Sequence, residues 1–211
     1  YELSWGTADQ PQTLTIFGKT FRSGEGRDVF ARSEYLWNRC AGVEENVLFA
    51  QPLGYMPAVQ TLWQLGVEGI PLCRAIGEGN GDSYLRTVAK GLAMIHNSDL
   101  AGLPKWTLDE HLAEADKKIE KLRRVAPSLV EELDLLAQRI HRDAPNPSDI
   151  PLRPIYWDFH VDQLLAQKEK VAFFDFDELV MGDPLQDIAN FVVDLQFRDV
   201  SRILARRMVK S

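Results

Sequence analysis

Two short apolar runs with acidic residues beside them constrain the possible fold and chemistry of this chain most strongly. Residues Tyr156–Leu165 read YWDFHVDQLL, and after a charged turn residues Val171–Asp177 read VAFFDFD. Asp158 lies five positions before the amide Gln163 and seventeen before Asp175. At this spacing one carboxylate can meet a substrate hydroxyl while an amide and a second carboxylate hold a metal ion, as phosphoryl transfer requires. Without a cation, the carboxylates at 158, 175 and 177 would be crowded like charges.

These offsets match a known pattern. The protein-kinase loop HRDxxxxN followed by DFG has the same internal spacing, and here it reads YWDxxxxQ followed by DFD. The chain resembles more closely the aminoglycoside phosphotransferase and choline kinase superfamily, whose loop usually reads HGDxHxxN, followed by a strand ending in ID and by GDPxxDIA. Asp158, His160, Asp175 and the run GDPLQDIA at Gly182–Ala189 carry this resemblance.

Three positions depart from the family pattern. Tyr156 stands where the family has His, Trp157 where it has Gly, and Gln163 where it has Asn. Glutamine is longer than asparagine by one carbon link, on the order of 1.5 Å, so its oxygen reaches a different point. If the Gln163 oxygen does not reach the position of the family's Asn oxygen, Asp162 or Asp177 is the alternative source of an oxygen there.

The resemblance implies a fold and a division of the chain. The expected fold is α+β and bilobal, of the protein-kinase-like type. A small antiparallel β-rich lobe with the interlobe link is expected over residues 1–69, and a larger, mainly helical lobe with the catalytic and metal-binding loops over residues 70–211. In the family a phosphate loop precedes the first hairpin, and further helices follow the Gly-Asp-Pro segment. The chain is therefore expected to be a piece of a longer protein, lacking the phosphate loop.

The resemblance also implies the chemistry. The terminal phosphoryl group of ATP or GTP would be transferred to a hydroxyl of a small molecule, with Asp158 as catalytic base or hydroxyl-orienting acid. Asp175 becomes a Mg²⁺ ligand, and Gln163 takes the position of the second ligand. The acceptor is implied only as an aminoglycoside-like or choline-like class. Between Thr107 and Asp134 eight acids stand against five bases, a bias that would suit a cationic acceptor and is equally typical of solvated helix faces.

A lysine and a helix acid are predicted to hold the nucleotide phosphates. Lys19 lies in the predicted strand Thr13–Phe21, and Glu34 lies in a helix predicted from Arg27 to about Cys40. In the fold that the chain resembles, a helix acid pairs with a strand lysine. Lys19 and Glu34 are therefore proposed as that pair. The alternative is an ordinary surface lysine and a solvated helix acid.

The base of the nucleotide is expected at the link between the lobes. Residues Leu62–Gly69 resemble that link, where backbone groups of Leu65 and Val67 would bind the adenine edge. A strand followed by a turn explains the same residues equally well. Two glycine clusters, Gly24–Gly26 and Gly77–Gly81, lack the spacing of a phosphate-binding loop and are interpreted as turns before helices.

Helical periodicity dominates after Asp82. A helix is predicted from there to His96, and the sequence Thr107–Glu110 is a capping box that opens a second helix. Pro127 begins a third helix, whose stripe is predicted to be core: Leu129, Leu133, Leu136 and Ile140. His96 is assigned a structural role only.

The two acids of the run Gly182–Ala189 are interpreted as structural. Asp187 is predicted to hold backbone N–H groups of the loop around Asp158, and Asp183 to cap the helix that follows. His160 is expected to brace the same loop.

Composition limits the partners. The net charge of −7 and the pI near 5.2 disfavour nucleic acid, which needs clustered cations. No apolar run approaches the ~20 residues of a membrane span, so no membrane partner is expected. Only Cys40 and Cys73 occur, without metal-binding or disulfide spacing, and a reducing cytoplasmic location is expected.

Three functional classes follow. The favoured one is a kinase for small-molecule hydroxyls. The second is a catalytically impaired kinase-like protein that binds a nucleotide or a partner, suggested by Tyr156 and Gln163. A metal-dependent hydrolase is the least supported, because no His pair at metal-ligand spacing accompanies the acids.

Overall fold

The computed structural model describes residues 1–7, 10–77 and 81–198, and it confirms an α+β fold. The strands are β1 (Glu2–Thr7), β2 (Gln10–Thr20), β3 (Val47–Phe49), β4 (Pro52–Met56), β5 (Thr61–Leu65), β6 (Ile70–Pro71), β7 (Arg153–Ile155), β8 (Leu164–Gln167), β9 (Lys170–Phe173) and β10 (Val180–Gly182). The helices are α1 (Gly26–Cys40), α2 (Leu72–Ala75), α3 (Gly81–His96), α4 (Leu108–Val125), α5 (Val130–Asp143) and α6 (Leu185–Phe197).

The first part of the chain is built on an antiparallel sheet in the order β1-β2-β5-β4. Helix α1 packs against β4 and β5, with Val29, Ser33, Leu36 and Cys40 buried at helical spacing. The helix approaches the sheet closely at Gly26, where an added Cβ would lie 2.6 Å from the Phe21 ring. Glycine is therefore required where the chain enters α1.

A second, mixed sheet lies beside the predicted loops, in the order β3-β9-β8-β6. The β8–β9 hairpin is antiparallel, and β3 runs parallel to β9. The run Val47–Leu53, whose composition alone predicts one strand, is divided, because its first half pairs with β9 and its second half belongs to the first sheet. Residues 47–49, assigned to the first domain, consequently join a sheet made mainly by the second; the boundary at residue 69 stays a prediction.

The main core joins this second sheet to α3. It includes the fully buried rings of Tyr156, Phe159 and Phe173. Gly91 lets α3 lie directly on the sheet, since an added Cβ would sit 2.2 Å from the Phe173 ring. This packing fixes the strands that carry the acidic loops.

Helices α4 and α5 lie outside this core, whereas α2 and α6 contribute Leu72, Ala75, Phe191 and Leu195 to it. The predicted capping box is confirmed, since Glu110 N donates to the Thr107 hydroxyl and Thr107 N donates to the Glu110 carboxylate. The predicted core stripe of α5 is wrong for Leu129 and Leu136, which are 49% and 47% exposed, whereas Leu133 is buried. The reason is that α5 packs mainly against α4, which covers only one narrow side.

The prediction for the second glycine cluster, Gly77–Gly81, falls partly outside the described residues, at positions 78–80. In the first cluster, Gly24 and Glu25 precede α1, which begins at Gly26, as expected. Within the described ranges no helix combines the length and apolar composition needed to cross a membrane.

Candidate functional site

A buried carboxylate fixes the backbone of the loop that follows β7. Asp187, fully buried at the start of α6, accepts hydrogen bonds from Tyr156 N at 2.9 Å and Trp157 N at 3.0 Å. The His96 side chain also contacts this carboxylate, with its Nε2 2.8 Å from Asp187 Oδ2. The predicted structural role of Asp187 is confirmed, and the contact anchors the loop to α3 and α6 together.

Asp158 projects from this loop into solvent. Its neighbour Phe159 is fully buried and Tyr156 is 1% exposed, while Asp158 itself is exposed. Trp157 adopts the left-handed region at φ 70°, which turns the chain between these anchors. Asp158 borders two cavities, of about 320 Å³ and 420 Å³, so its carboxylate is open to a small molecule.

The second acidic loop follows β9 and meets the only lysine of β2. Lys19 Nζ lies 2.7 Å from Asp175 Oδ1 and 2.5 Å from Asp177 Oδ2. Asp175 also lies in the left-handed region, at φ 69°, a conformation that is strained for a residue with a Cβ and is often found at functional sites. These three residues line a cavity of about 250 Å³, with Phe17 and Leu62 on its sheet side.

The charges of this cluster shift each other's titration. Partial burial lowers the pKa of Lys19, but its hydrogen bonds to Asp175 and Asp177 outweigh burial and leave that pKa raised. Burial raises the pKa of Asp177, against the opposing pull of Lys19, and the adjacent Asp175 charge raises it further. Two carboxylates that share one ammonium form a site that favours a cation.

Tyr156 links the two acidic loops. Its hydroxyl donates to the carbonyl oxygen of Phe174 at 3.4 Å, and its ring centroid lies 5.4 Å from that of Phe176. Burial, followed by the charges of Asp187 and Asp175, raises the pKa of Tyr156 well above its ordinary value, so its hydroxyl stays protonated. The residue that replaces the family's His thus packs beneath both loops.

Gln163 is buried, and its amide is engaged within its own turn. Its Oε1 accepts a hydrogen bond from His160 N at 3.4 Å, a long contact that a stronger ligand could displace. Within the described ranges no group of three or more His, Cys, Asp or Glu side chains could hold a metal ion. The oxygen chemistry of Asp175, Asp177 and the Gln163 amide nevertheless fits Mg²⁺, provided that phosphate oxygens and water complete the shell.

The predicted ion pair between Lys19 and Glu34 is not formed. Glu34 is exposed on α1, and the cavity at Lys19 is lined instead by Val29 and Ser33 of the same helix. A helical residue one position further lies about 100° around the axis, so Glu34 faces solvent when Ser33 is buried. The charge partners of Lys19 come from the acidic loop.

Leu65 and Val67 border a separate cavity of about 680 Å³ on the link after β5. Leu65 N donates to Gln51 O at 2.8 Å and Gly66 N donates to Thr15 O at 2.7 Å, so these donors are used within the sheet. No backbone hydrogen bond among the described residues uses Val67 N. The N–H of Leu65 is therefore engaged within the sheet, and the N–H of Val67 is the donor that stays available for the predicted nucleotide contact.

An arginine network behind the loop was not anticipated from the sequence. Arg198 donates to Asp162 Oδ2 at 2.6 Å and to Asp194 Oδ1 at 2.7 Å, and Asp194 also accepts from Val161 N. Asp162 is thereby tied to the end of α6, which leaves Asp177 as the better alternative to Gln163. The i,i+4 spacing of Asp194 and Arg198 was the available signal.

Known proteins of this type share the sequence pattern and the fold. The model of the phosphotransferase enzyme family, APH, matches residues 54–209. A curated LicA homolog of Metamycoplasma hominis is 28% identical over 137 residues, which cover 64% of this chain and 49% of the relative. The chain therefore spans about half the length of that relative.

Solved structures resemble the chain over most of its length. A GDP and kanamycin complex of APH(2'')-IIIa superposes with a TM-score of 0.65 at 18% identity, covering 98% of this chain and 75% of the other. A choline/ethanolamine kinase family protein from Mesorhizobium loti gives a TM-score of 0.59 at 15% identity, covering 88% and 61%. The predicted protein-kinase-like fold is confirmed by these matches. With the family pattern covering most of the chain, the protein is a divergent member of the APH phosphotransferase enzyme family.

Proposed function

We propose that this protein transfers the terminal phosphoryl group of ATP or GTP to a hydroxyl of a small, cationic molecule. The observation that carries the proposal is the contact of Lys19 with Asp175 in one cavity while Asp158 opens onto others. In-line transfer sets the attacking hydroxyl oxygen and the leaving diphosphate oxygen on opposite sides of the reacting phosphorus. We therefore assign the Lys19 cavity to the donor phosphates and Asp158 to the acceptor hydroxyl.

The donor side of the reaction would be held by Lys19 and Asp175. Lys19 Nζ would exchange Asp175 for nucleotide phosphate oxygens, because Mg²⁺ on Asp175 competes with the ammonium for the same carboxylate. Bound Mg²⁺ would supply charge neutralisation on the phosphate oxygens. Gln163 is proposed as its second protein ligand, with Asp177 as the alternative. The Leu65 carbonyl and the Val67 N–H would bind the base edge.

The acceptor side would be organised by Asp158. Its carboxylate would accept the hydrogen bond of the acceptor hydroxyl and align that oxygen with the phosphorus. As the new oxygen–phosphorus bond forms, the bond to the nucleoside diphosphate breaks and the hydroxyl proton passes to Asp158. The rigid backbone around Asp158, held by Asp187, keeps this alignment without reorganisation.

The acceptor class follows from charge near Asp158. Two adjoining cavities share Trp106 and His111, and their lining includes the acids Asp109, Glu114, Asp158 and Asp183 against the single base Lys118. Burial and the charge of Lys118 lower the pKa of His111, so it adds no positive charge at neutral pH. This excess of negative charge would favour an amine-bearing acceptor.

The test is nucleotide turnover with Mg²⁺ over a panel of aminoglycosides, choline-like amines, sugars and homoserine. Asp158→Asn is expected to lower turnover by about 10²- to 10⁴-fold, the usual contribution of general-base catalysis. Asp149→Asn, an exposed acid on the preceding connector, is the matched control and should leave turnover unchanged. Turnover equal in both variants would refute the role of Asp158.

A catalytically impaired nucleotide- or partner-binding protein is the alternative. It is favoured by one observation: Lys19 already satisfies both Asp175 and Asp177, so a metal ion must displace it. Nucleotide binding without turnover on any acceptor would support this reading.

A further inference from the structure

Trp157 occupies a backbone position that ordinarily suits glycine. Its φ of 70° lies in the left-handed region, where a bulky side chain is an outlier. The conformation is held on both sides of the residue, because Trp157 N donates to Asp187 Oδ1 at 3.0 Å and Trp157 O accepts from Asn190 Nδ2 at 2.7 Å. Asn190 is itself oriented by Gln186, whose Nε2 donates to its Oδ1 at 2.9 Å. The structure thus holds an indole rigidly beside Asp158.

A second indole, that of Trp106, packs against the ring of Trp157. The ring centroids of Trp106 and Trp157 lie 5.1 Å apart at an interplanar angle of 70°, an edge-to-face contact that sets the two rings nearly perpendicular. Trp106 is fixed through its backbone N, which donates to Met181 O at 2.9 Å, and through Nε1, which donates to His111 Nδ1 at 3.2 Å. Both indoles line the 320 Å³ cavity that includes Asp158 and Glu114.

We propose that Trp106 and Trp157 form the subsite that holds the cationic body of the acceptor while Asp158 receives its hydroxyl. This inference rests on the proposed function, because it identifies the bound cation with the acceptor of the phosphoryl group. Indole faces attract ammonium groups through the ring quadrupole, and nearby carboxylates add to that attraction. The three groups lie around one cavity, so a single molecule can reach both the rings and Asp158.

The size of the cavity selects among cationic alcohols. At about 320 Å³ it lies at the small end of the range for ligand sites, roughly 300–1,000 Å³. A compact ammonium alcohol can be held within this cavity, whereas a multi-ring aminosugar would extend into the neighbouring cavities that also border Asp158 or Trp106. The subsite therefore assigns specificity for small quaternary or protonated amines to Trp157, a position where the family pattern has glycine.

The experiment measures binding without turnover, in the full chain carrying Asp158→Asn. Choline and its neutral carbon isostere 3,3-dimethylbutan-1-ol are titrated by calorimetry, together with ADP as a separate ligand. We expect choline to bind more tightly than the isostere. Trp157→Gly should weaken choline binding on the order of 10-fold, in line with a desolvated cation–π contact, and leave ADP affinity unchanged. Because glycine adopts this φ freely, the same variant should keep the melting temperature, which separates a binding role from a folding role.

Trp157→Phe and Trp63→Phe are the companion variants. The smaller ring at 157 should lose only part of the choline affinity, and Trp63, which packs on Tyr1 away from this cavity, should lose none. Equal affinity for choline and its isostere, unchanged choline affinity in Trp157→Gly, or no choline binding at all would overturn the inference.

The two proposals fail separately. If no acceptor is phosphorylated yet choline binding depends on Trp157, the kinase proposal fails and the subsite stands. If another acceptor is phosphorylated and its KM is unaffected by Trp157→Gly, the subsite fails and the kinase proposal stands.

Discussion

Lys19 Nζ lies 2.7 Å from Asp175 Oδ1, which brings the lysine of the first sheet into contact with the acid of the loop that follows β9. Asp177 Oδ2 makes the second contact to the same nitrogen, whereas Glu34 of α1 is exposed. The lysine is therefore positioned by the loop that follows β9 and not by the helix.

Removing the acid that holds Lys19 should weaken nucleotide binding more than removing the helix acid. Asp177→Asn is expected to weaken nucleotide binding by about 5-fold, near 1 kcal/mol, a small value because the Lys19 side chain is 49% exposed and solvent screens the pair. Glu34→Gln should change that affinity little. The measurement is the Kd of ATP with Mg²⁺, and a larger loss in Glu34→Gln would show that α1 turns towards Lys19 when the nucleotide binds.

Mg²⁺ binding should depend on Asp175 more than on Gln163. The Gln163 amide is occupied by His160 N within its own turn, whereas the Asp175 carboxylate faces the open cavity. A ligand that binds only the native state raises the melting temperature. We expect the Mg²⁺-dependent rise, measured with ADP, to shrink in Gln163→Ala and to vanish in Asp175→Asn; an unchanged rise in Gln163→Ala would make Asp177 the second ligand.

The stability of the catalytic loop should depend on Asp187. Asp187→Ala leaves the buried N–H groups of Tyr156 and Trp157 without an acceptor, at about 1–3 kcal/mol each. Asp183→Ala removes a single contact, to Leu185 N at the start of α6, and should cost about 1 kcal/mol. Denaturant unfolding of both variants tests this order, which equal losses would contradict.

The capping box of α4 gives a pH-dependent contribution. The backbone N–H of Thr107 and then its hydroxyl hold the pKa of Glu110 below its ordinary value of 4.5. A lowered carboxyl pKa stabilises the fold above the unfolded pKa, and this stabilisation is lost as the pH falls through the folded pKa. The melting difference between wild type and Glu110→Gln should therefore be present at pH 7 and shrink at pH 3. A melting difference that is equally large at pH 7 and pH 3 would contradict this contribution.

The parts of the site that depend on local sequence were predictable. The buried role of Asp187 followed from the GDPLQDIA run, and the capping box from the spacing of Thr107 and Glu110, because both contacts join residues whose relative placement a motif fixes. The expected division of the chain into a sheet-rich first part and a helical second part came from the family resemblance, and the helical period after Asp82 is consistent with it.

Contacts set by tertiary packing were not predictable. Whether Glu34 or Ser33 faces Lys19 depends on the rotation of α1 by one residue, which apolar periodicity does not resolve. The exposure of Leu129 and Leu136 likewise reflects which neighbours α5 meets. The pairing of β3 with β9 joins residues more than a hundred positions apart, beyond the reach of any local pattern.

The most direct test of phosphoryl transfer compares product formation with nucleotide binding in Asp158→Asn and Asp175→Asn. Radiolabelled terminal phosphate of ATP or GTP is followed into the acceptor, and nucleotide affinity is measured on the same samples. The account predicts that both variants lose transfer by at least about 100-fold, while Asp158→Asn binds the nucleotide normally and Asp175→Asn loses its Mg²⁺-dependent affinity. Transfer that persists at the wild-type rate in either variant would contradict the account.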